Sequence, residues 1–238
     1  MKIYYTKLQL YNLLITFCML VIFSQFSKEV TTCFFMFLLV LLFQILTPSV
    51  RGFRFDWYIR CFLVVVPYSL PFLFGYPHSF NTSFSVWKVF LMIILILLLL
   101  GIQYKRIRPL FDKDIIAFLP RINKYEFGYS LFTAYGSAIF QELFYRGFVL
   151  SITLPTLGYY SVLISALLFV SDHFGNRHAA KNFEIQDYIY HFVLSIILGL
   201  TFISTGKWEI CALGHAIYNT IYVVHRYMLF KKEVFVTT

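Results

Sequence analysis

Eight continuous apolar runs restrict what this chain can fold into more than any other feature. They lie near Leu8–Phe26, Thr31–Leu46, Cys61–Tyr76, Phe84–Tyr104, Glu126–Leu150, Tyr159–Phe174, Tyr188–Ser204 and Trp208–Phe230. A bilayer-crossing helix needs about 20 mostly apolar residues. The second, third, sixth and seventh runs are short by that standard, and Pro67 and Pro71 interrupt the third. A membrane barrel would show short segments of alternating polarity, and these runs do not alternate. Of the 238 residues, 60% are hydrophobic and 13% charged, whereas a soluble chain is about a quarter charged. Such a chain has too little polar surface to face water on all sides. The sequence therefore predicts an all-α, polytopic membrane protein with about eight transmembrane helices in one bundle, its solvent being the lipid bilayer.

Lys and Arg mark alternate loops. Lys2 and Lys7 precede the first run; Arg51, Arg54 and Arg60 follow the second. Lys105, Arg106, Arg108, Lys113, Arg121 and Lys124 follow the fourth, and Arg226, Lys231 and Lys232 close the last. The loop with Arg177 and Lys181 is weakly basic, offset by Glu184 and Asp187. By the positive-inside rule both termini are expected in the cytoplasm of a multi-pass cell-membrane protein. The net charge of +9 reads as topology and not as nucleic-acid binding, since the basic residues sit beside spans. The first run, although preceded by Lys2 and Lys7, lacks a small-x-small cleavage site and reads as an uncleaved span. Cys18, Cys33, Cys61 and Cys211 show no CxxC spacing, so neither a disulfide framework nor a thiolate metal site is expected. Phe235-Val236-Thr237-Thr238 offers no lipidation cysteine.

The charge map divides the chain. Residues 1–104 hold four spans almost free of buried ionisable groups and read as scaffold. Residues 105–124 form an amphipathic segment expected on the cytoplasmic membrane surface. Residues 125–238 carry polar groups inside apolar runs and read as the working half.

Those polar groups come mostly at helical spacing. Glu142 and Arg146 stand one turn apart, acid first, with Gly147 next. Asp172-His173 closes the sixth run, with Phe169 one turn before the histidine; Asp172 points about 100° away from His173 on a helix. His215 and Asn219 share one face of the last run. Each alone has a plain structural explanation: a neutralising ion pair, an interfacial histidine, a hydrogen bond gluing helices together. His191 and His225 read as packing or interfacial residues; His78, and His178 with Asn176 and Arg177, read as loop residues. Ionisable groups in a bilayer are costly, however, and usually line a protein-enclosed cavity where they act. A carboxylate with an imidazole can deprotonate a water. A second imidazole and an amide can donate to a developing oxyanion. Alternatively Glu142, His173 and His215 could form a facial zinc set that generates hydroxide. At this level both mechanisms stay open, and zinc is the one cofactor to weigh.

The pattern Gln141-Glu142 through Arg146, Phe169 through His173 and His215 through Asn219 resembles the type II CAAX prenyl endopeptidases and bacteriocin-processing enzymes, the CPBP or Abi intramembrane proteases. Their motifs run EExxxR, FxxxH, then HxxxN, on separate helices. The segment from Leu198-Gly199-Leu200 through Thr205-Gly206 also resembles the lead-in to the last motif, and the resemblance spans about residues 125–222. It implies an intramembrane metallo- or glutamic endopeptidase acting on a peptide or membrane-protein substrate, in some members for bacteriocin maturation or self-immunity. Carried over, Glu142 and His173 would activate water, His215 and Asn219 would hold the oxyanion, and Arg146 would anchor the acid. Gln141 departs from the motif, standing where the family has its first glutamate, and an amide cannot take a proton. A catalytically impaired relative, serving as a membrane immunity or regulatory protein, is thus the competing expectation. A proton relay or transporter is disfavoured because no paired repeat is visible. The short chain and simple topology look bacterial.

Overall fold

A computed structural model describes residues 7–47, 56–76, 85–175 and 184–232. Lys2, Arg51, Arg54, His78, Asn176, Arg177, His178, Lys181 and the 235–238 segment lie outside the described residues. The elements are α1 (Lys7–Phe23), α2 (Lys28–Leu46), α3 (Asp56–Val65), α4 (Leu70–Leu73), α5 (Val86–Ile102), α6 (Tyr104–Ile107), α7 (Lys113–Phe118), α8 (Lys124–Leu131), α9 (Ser137–Glu142), α10 (Ser151–Leu157), α11 (Tyr160–Gly175), α12 (Ile185–Thr205) and α13 (Trp208–Lys231). Among the described residues there is no strand.

All eight apolar runs fall on helical segments, but they differ as spans. Two helices, α2 and α12, are long and apolar enough to cross a bilayer by themselves. A third joins them if α5 and the 104–111 segment, bent by 64°, count as one broken span. The all-helical expectation holds among the described residues, while the count of eight spans is not confirmed. Polar residues dilute the long α13. The third run is broken at its prolines into α3, the 3₁₀ turn Val66–Ser69 and α4.

Local signals set the boundaries. Ser27 caps α2 by accepting from the Val30 amide. Asn123 and Glu126 form a reciprocal capping box that starts α8, as Glu184 and Asp187 do for α12. Gly158 (φ 55°) and Gly206 (φ 65°) end α10 and α12 with backbone angles that other residues resist. From α8 through α10 the helical path is unbroken, with π turns at Phe132–Gly136 and Leu143–Leu150. Such turns widen a helix, often at functional sites.

Two apolar clusters hold the bundle. One joins α1, α2 and Tyr68 to Phe144, Tyr145, Phe148 and Phe169. The other joins Met92 and Ile96 of α5 to Leu194, Leu198 and Phe202 of α12 and Cys211 of α13. The expected amphipathic segment is present, with Ile116 buried and Phe118 exposed. It is tied to the bundle where Arg106 pairs with Glu184 at 2.8 Å and Asp187 at 3.2 Å. His225 Nδ1 donates to the Leu110 carbonyl (2.7 Å), consistent with its reading as an interfacial residue.

Candidate active site

Glu142 ends α9 and Arg146 sits in the following π turn, both wholly buried. The guanidinium Nη1 lies 3.1 Å from Oε1 and 2.9 Å from Oε2 of Glu142. Its other arm, Nη2, donates to both the carbonyl oxygen and the hydroxyl of Ser195, each at 2.7 Å. Ser195 is the middle residue of α12, so this ion pair lies at mid-depth of that helix. Nothing in the sequence singled out Ser195, a small polar residue in an apolar run. Further hydrogen bonds offset part of the cost of burying a charge pair; Ser195 engages Nη2 of Arg146, while Nε has no partner among the described residues.

His215 completes the cluster. Its Nδ1 donates to Glu142 Oε1 at 2.9 Å, which leaves Nε2 as the nitrogen available for chemistry. Gly214, next to His215, lets α13 pack closely on α5 and α12: a Cβ there would stand 2.8 Å from Met92 Sδ and 2.9 Å from both Ile96 Cδ1 and Leu198 Cδ2. Asn219, one turn on, donates its amide to the Ala134 carbonyl at 2.8 Å. It thereby ties α13 to the first π turn and does not touch Glu142 directly.

His173 reaches the cluster through Phe169. The Phe169 ring centroid lies 4.7 Å from that of His173, 5.6 Å from that of His215 and 5.3 Å from that of Tyr145. The Arg146 guanidinium carbon lies 5.4 Å from the same ring. The Phe169–His173 spacing thus has a structural use: Phe169 reaches inward from the last turns of α11 and spans the difference in depth between the two histidines. His173 Nδ1 donates to the Phe169 carbonyl at 2.7 Å, so Nε2 is its basic nitrogen. His191, read from sequence as packing, belongs here too. Its ring is 4.5 Å from that of His173, and its Nδ1 donates to the Asp187 carbonyl at 2.7 Å. A histidine in an apolar run was the only available signal.

Gln141 and Asp172 face elsewhere, as the 100° rotation between neighbours requires. Asp172, fully buried, accepts from Gln44 on Oδ1 and, on Oδ2, from Tyr68 (2.5 Å) and Gln141 (3.1 Å). Gln44 and Tyr68 come from the half read as scaffold. Adjacent residues on two helices therefore feed two polar clusters, one around Glu142 and one around Asp172.

Glu142 and Arg146 are at 0%, His215 at 2% and His173 at 8% exposure. Arg146 and His215 engage the Glu142 carboxylate, and among the described residues no three His, Cys, Asp or Glu side chains are grouped to hold a metal ion.

The helical bundle, with apolar exposed faces, buries a carboxylate–guanidinium–imidazole cluster beside two further imidazoles. Residues 124–221 match the family model described as type II CAAX prenyl endopeptidase Rce1-like, and this stretch holds all three motifs. The family is one of membrane-embedded proteases. No curated protein and no solved structure matches the chain.

Proposed function

We propose that this chain is an intramembrane endopeptidase that hydrolyses a peptide or membrane-associated protein at the cluster formed by Glu142, His173 and His215. The observation that carries the reading is the bond from His215 Nδ1 to a carboxylate that Arg146 already clamps. Glu142, so held, serves to orient His215 and keep it a donor. His173, its Nδ1 committed to the Phe169 carbonyl, takes the proton of the attacking water on Nε2. With Nδ1–H committed to Glu142, His215 carries a second proton on Nε2 in this step, and that Nε2–H with the remaining Asn219 amide hydrogen polarises the scissile carbonyl and carries its negative charge as the tetrahedral intermediate forms. The proton on His173 then passes to the leaving nitrogen.

The bundle is placed across the cell membrane with both termini cytoplasmic. Supporting this, Lys and Arg are concentrated in alternate loops of the sequence. Bacteriocin processing or self-immunity is the proposed setting. Hydrolysis is tested on detergent-purified protein with quenched fluorescent peptides, prenylated and unprenylated. Cleavage that disappears in both His173→Ala and His215→Ala supports the proposal; cleavage that survives both rejects it.

One observation favours a second reading. Gln141 is an amide and the site is closed, as suits a non-catalytic membrane immunity or regulatory protein. That reading requires protection of the host cell to persist in the same two variants.

A further inference from the structure

Asp172 is the buried acid that the proposed mechanism leaves unused. Its carboxylate is at 0% exposure, and no Lys or Arg pairs with it among the described residues. Three neutral donors hold it instead, from α2, from the Val66–Ser69 turn and from α9. A carboxylate of purely structural use is an expensive choice here, because a bundle can be glued by neutral hydrogen bonds without burying a charge. The network is also not fully satisfied. Gln44 Oε1, buried beside the cluster, has no hydrogen-bond partner among the described residues, whereas a structural polar knot normally satisfies all its members.

Its position suggests its use. Asp172 immediately precedes His173, and Gln141 immediately precedes Glu142. The Gln141 amide nitrogen points at Asp172 Oδ2, 3.1 Å away, and also lies 3.4 Å from the Tyr68 hydroxyl. That bond fixes the amide so that Oε1, an acceptor only, turns away from the carboxylate.

We infer that Asp172 is a positioning residue for the hydrolytic reaction, supplying from α11 the negative charge that residue 141 lacks. The inference rests on the proposed proteolysis and assigns this carboxylate two tasks. It holds the Gln141 side chain, and with it the end of α9 that carries Glu142. It also places a fixed negative charge next to His173 as that ring becomes an imidazolium. In the step concerned, a water O–H bond breaks and its proton goes to His173 Nε2. The oxygen bonds to the scissile carbon while the carbonyl electron pair moves to oxygen. When the C–N bond later breaks, the proton passes from His173 to the nitrogen. Asp172 gains and loses nothing.

Residues 141 and 172 then share one charge, and two carboxylates at that separation cannot both ionise. Gln141→Glu alone should therefore impair the protein and not improve it. The test is the set Asp172→Asn, Gln141→Glu and the double exchange, assayed on the peptide that the natural chain cleaves, with melting temperatures in detergent. Asp172→Asn is expected to lower kcat by about 100-fold or more, within the range of general acid–base contributions, with KM little changed. Gln141→Glu should lower both kcat and the melting temperature. The double exchange, which returns one acid and one amide to the pair, should recover at least about tenfold in kcat over either single variant, in keeping with coupled neighbours. Wild-type kcat in Asp172→Asn, or strictly additive losses in the double variant, overturns the inference while leaving the proteolysis standing. No hydrolysis by the natural chain overturns both.

Discussion

His215 and Glu142, 73 residues apart in sequence, meet through one hydrogen bond of 2.9 Å inside a cluster that Arg146 neutralises. That bond joins α13 to the end of α9 and defines which imidazole nitrogen is left for chemistry. An aromatic ring, not a polar contact, brings the other motif histidine alongside: Phe169 packs on His173, His215 and Arg146 together.

Breaking the ion pair leaves a charge buried without a partner. Arg146→Met should cost about 3–5 kcal/mol, the usual consequence of removing one member of a buried pair. Arg146→Lys should recover little of it, because a single ammonium cannot reproduce the fork to Glu142 and to both oxygens of Ser195. Thermal unfolding in detergent reads both variants.

Gly214 and Gly101 make a matched pair. Gly214→Ala puts a methyl into Met92, Ile96 and Leu198, an overpacking worth about 1–3 kcal/mol, and should displace His215. Gly101→Ala meets nothing within 4 Å and should leave stability unchanged or slightly raised through helix propensity. Melting temperature and peptide hydrolysis together separate the two outcomes.

Tyr68→Phe removes a donor from Asp172 while keeping the ring that packs on Phe144 and Tyr145. Leaving the buried acceptor short of a partner should cost about 1–3 kcal/mol. An unchanged melting temperature would show that the Asp172 cluster does not bind the first half of the chain to the second.

Chelation should leave hydrolysis intact. The Glu142 carboxylate is taken up by Arg146 and His215, so dialysis of the purified protein against EDTA is expected to change activity by less than about twofold. Loss of activity restored by zinc would contradict the proposed roles.

The helices and the motif positions were legible because helical spacing and apolar runs are local properties. Glu142 with Arg146 follows from i,i+4 geometry alone, and the different facing of Gln141 follows from the same rotation. Which cluster each face would meet was not legible, since packing sets that rotation. Asp172 therefore looked idle until Tyr68 and Gln44 arrived from elements distant in sequence. The first four runs read as scaffold because Gln44 and Tyr68 are neutral, yet they hold the buried carboxylate. His191 went unassigned because an isolated histidine in an apolar helix carries no spacing signal. Asn219 was read onto one face with His215; its partner is a carbonyl in a π turn, and the sequence gives little sign of such turns.

The most direct test compares peptide cleavage by the natural chain with that by His215→Ala, each purified in detergent and each shown to be folded by its melting curve. Cleavage by the natural chain that falls by at least about 100-fold in the variant is the expected result, matching the loss of an oxyanion donor. Equal cleavage by two folded proteins would contradict the account.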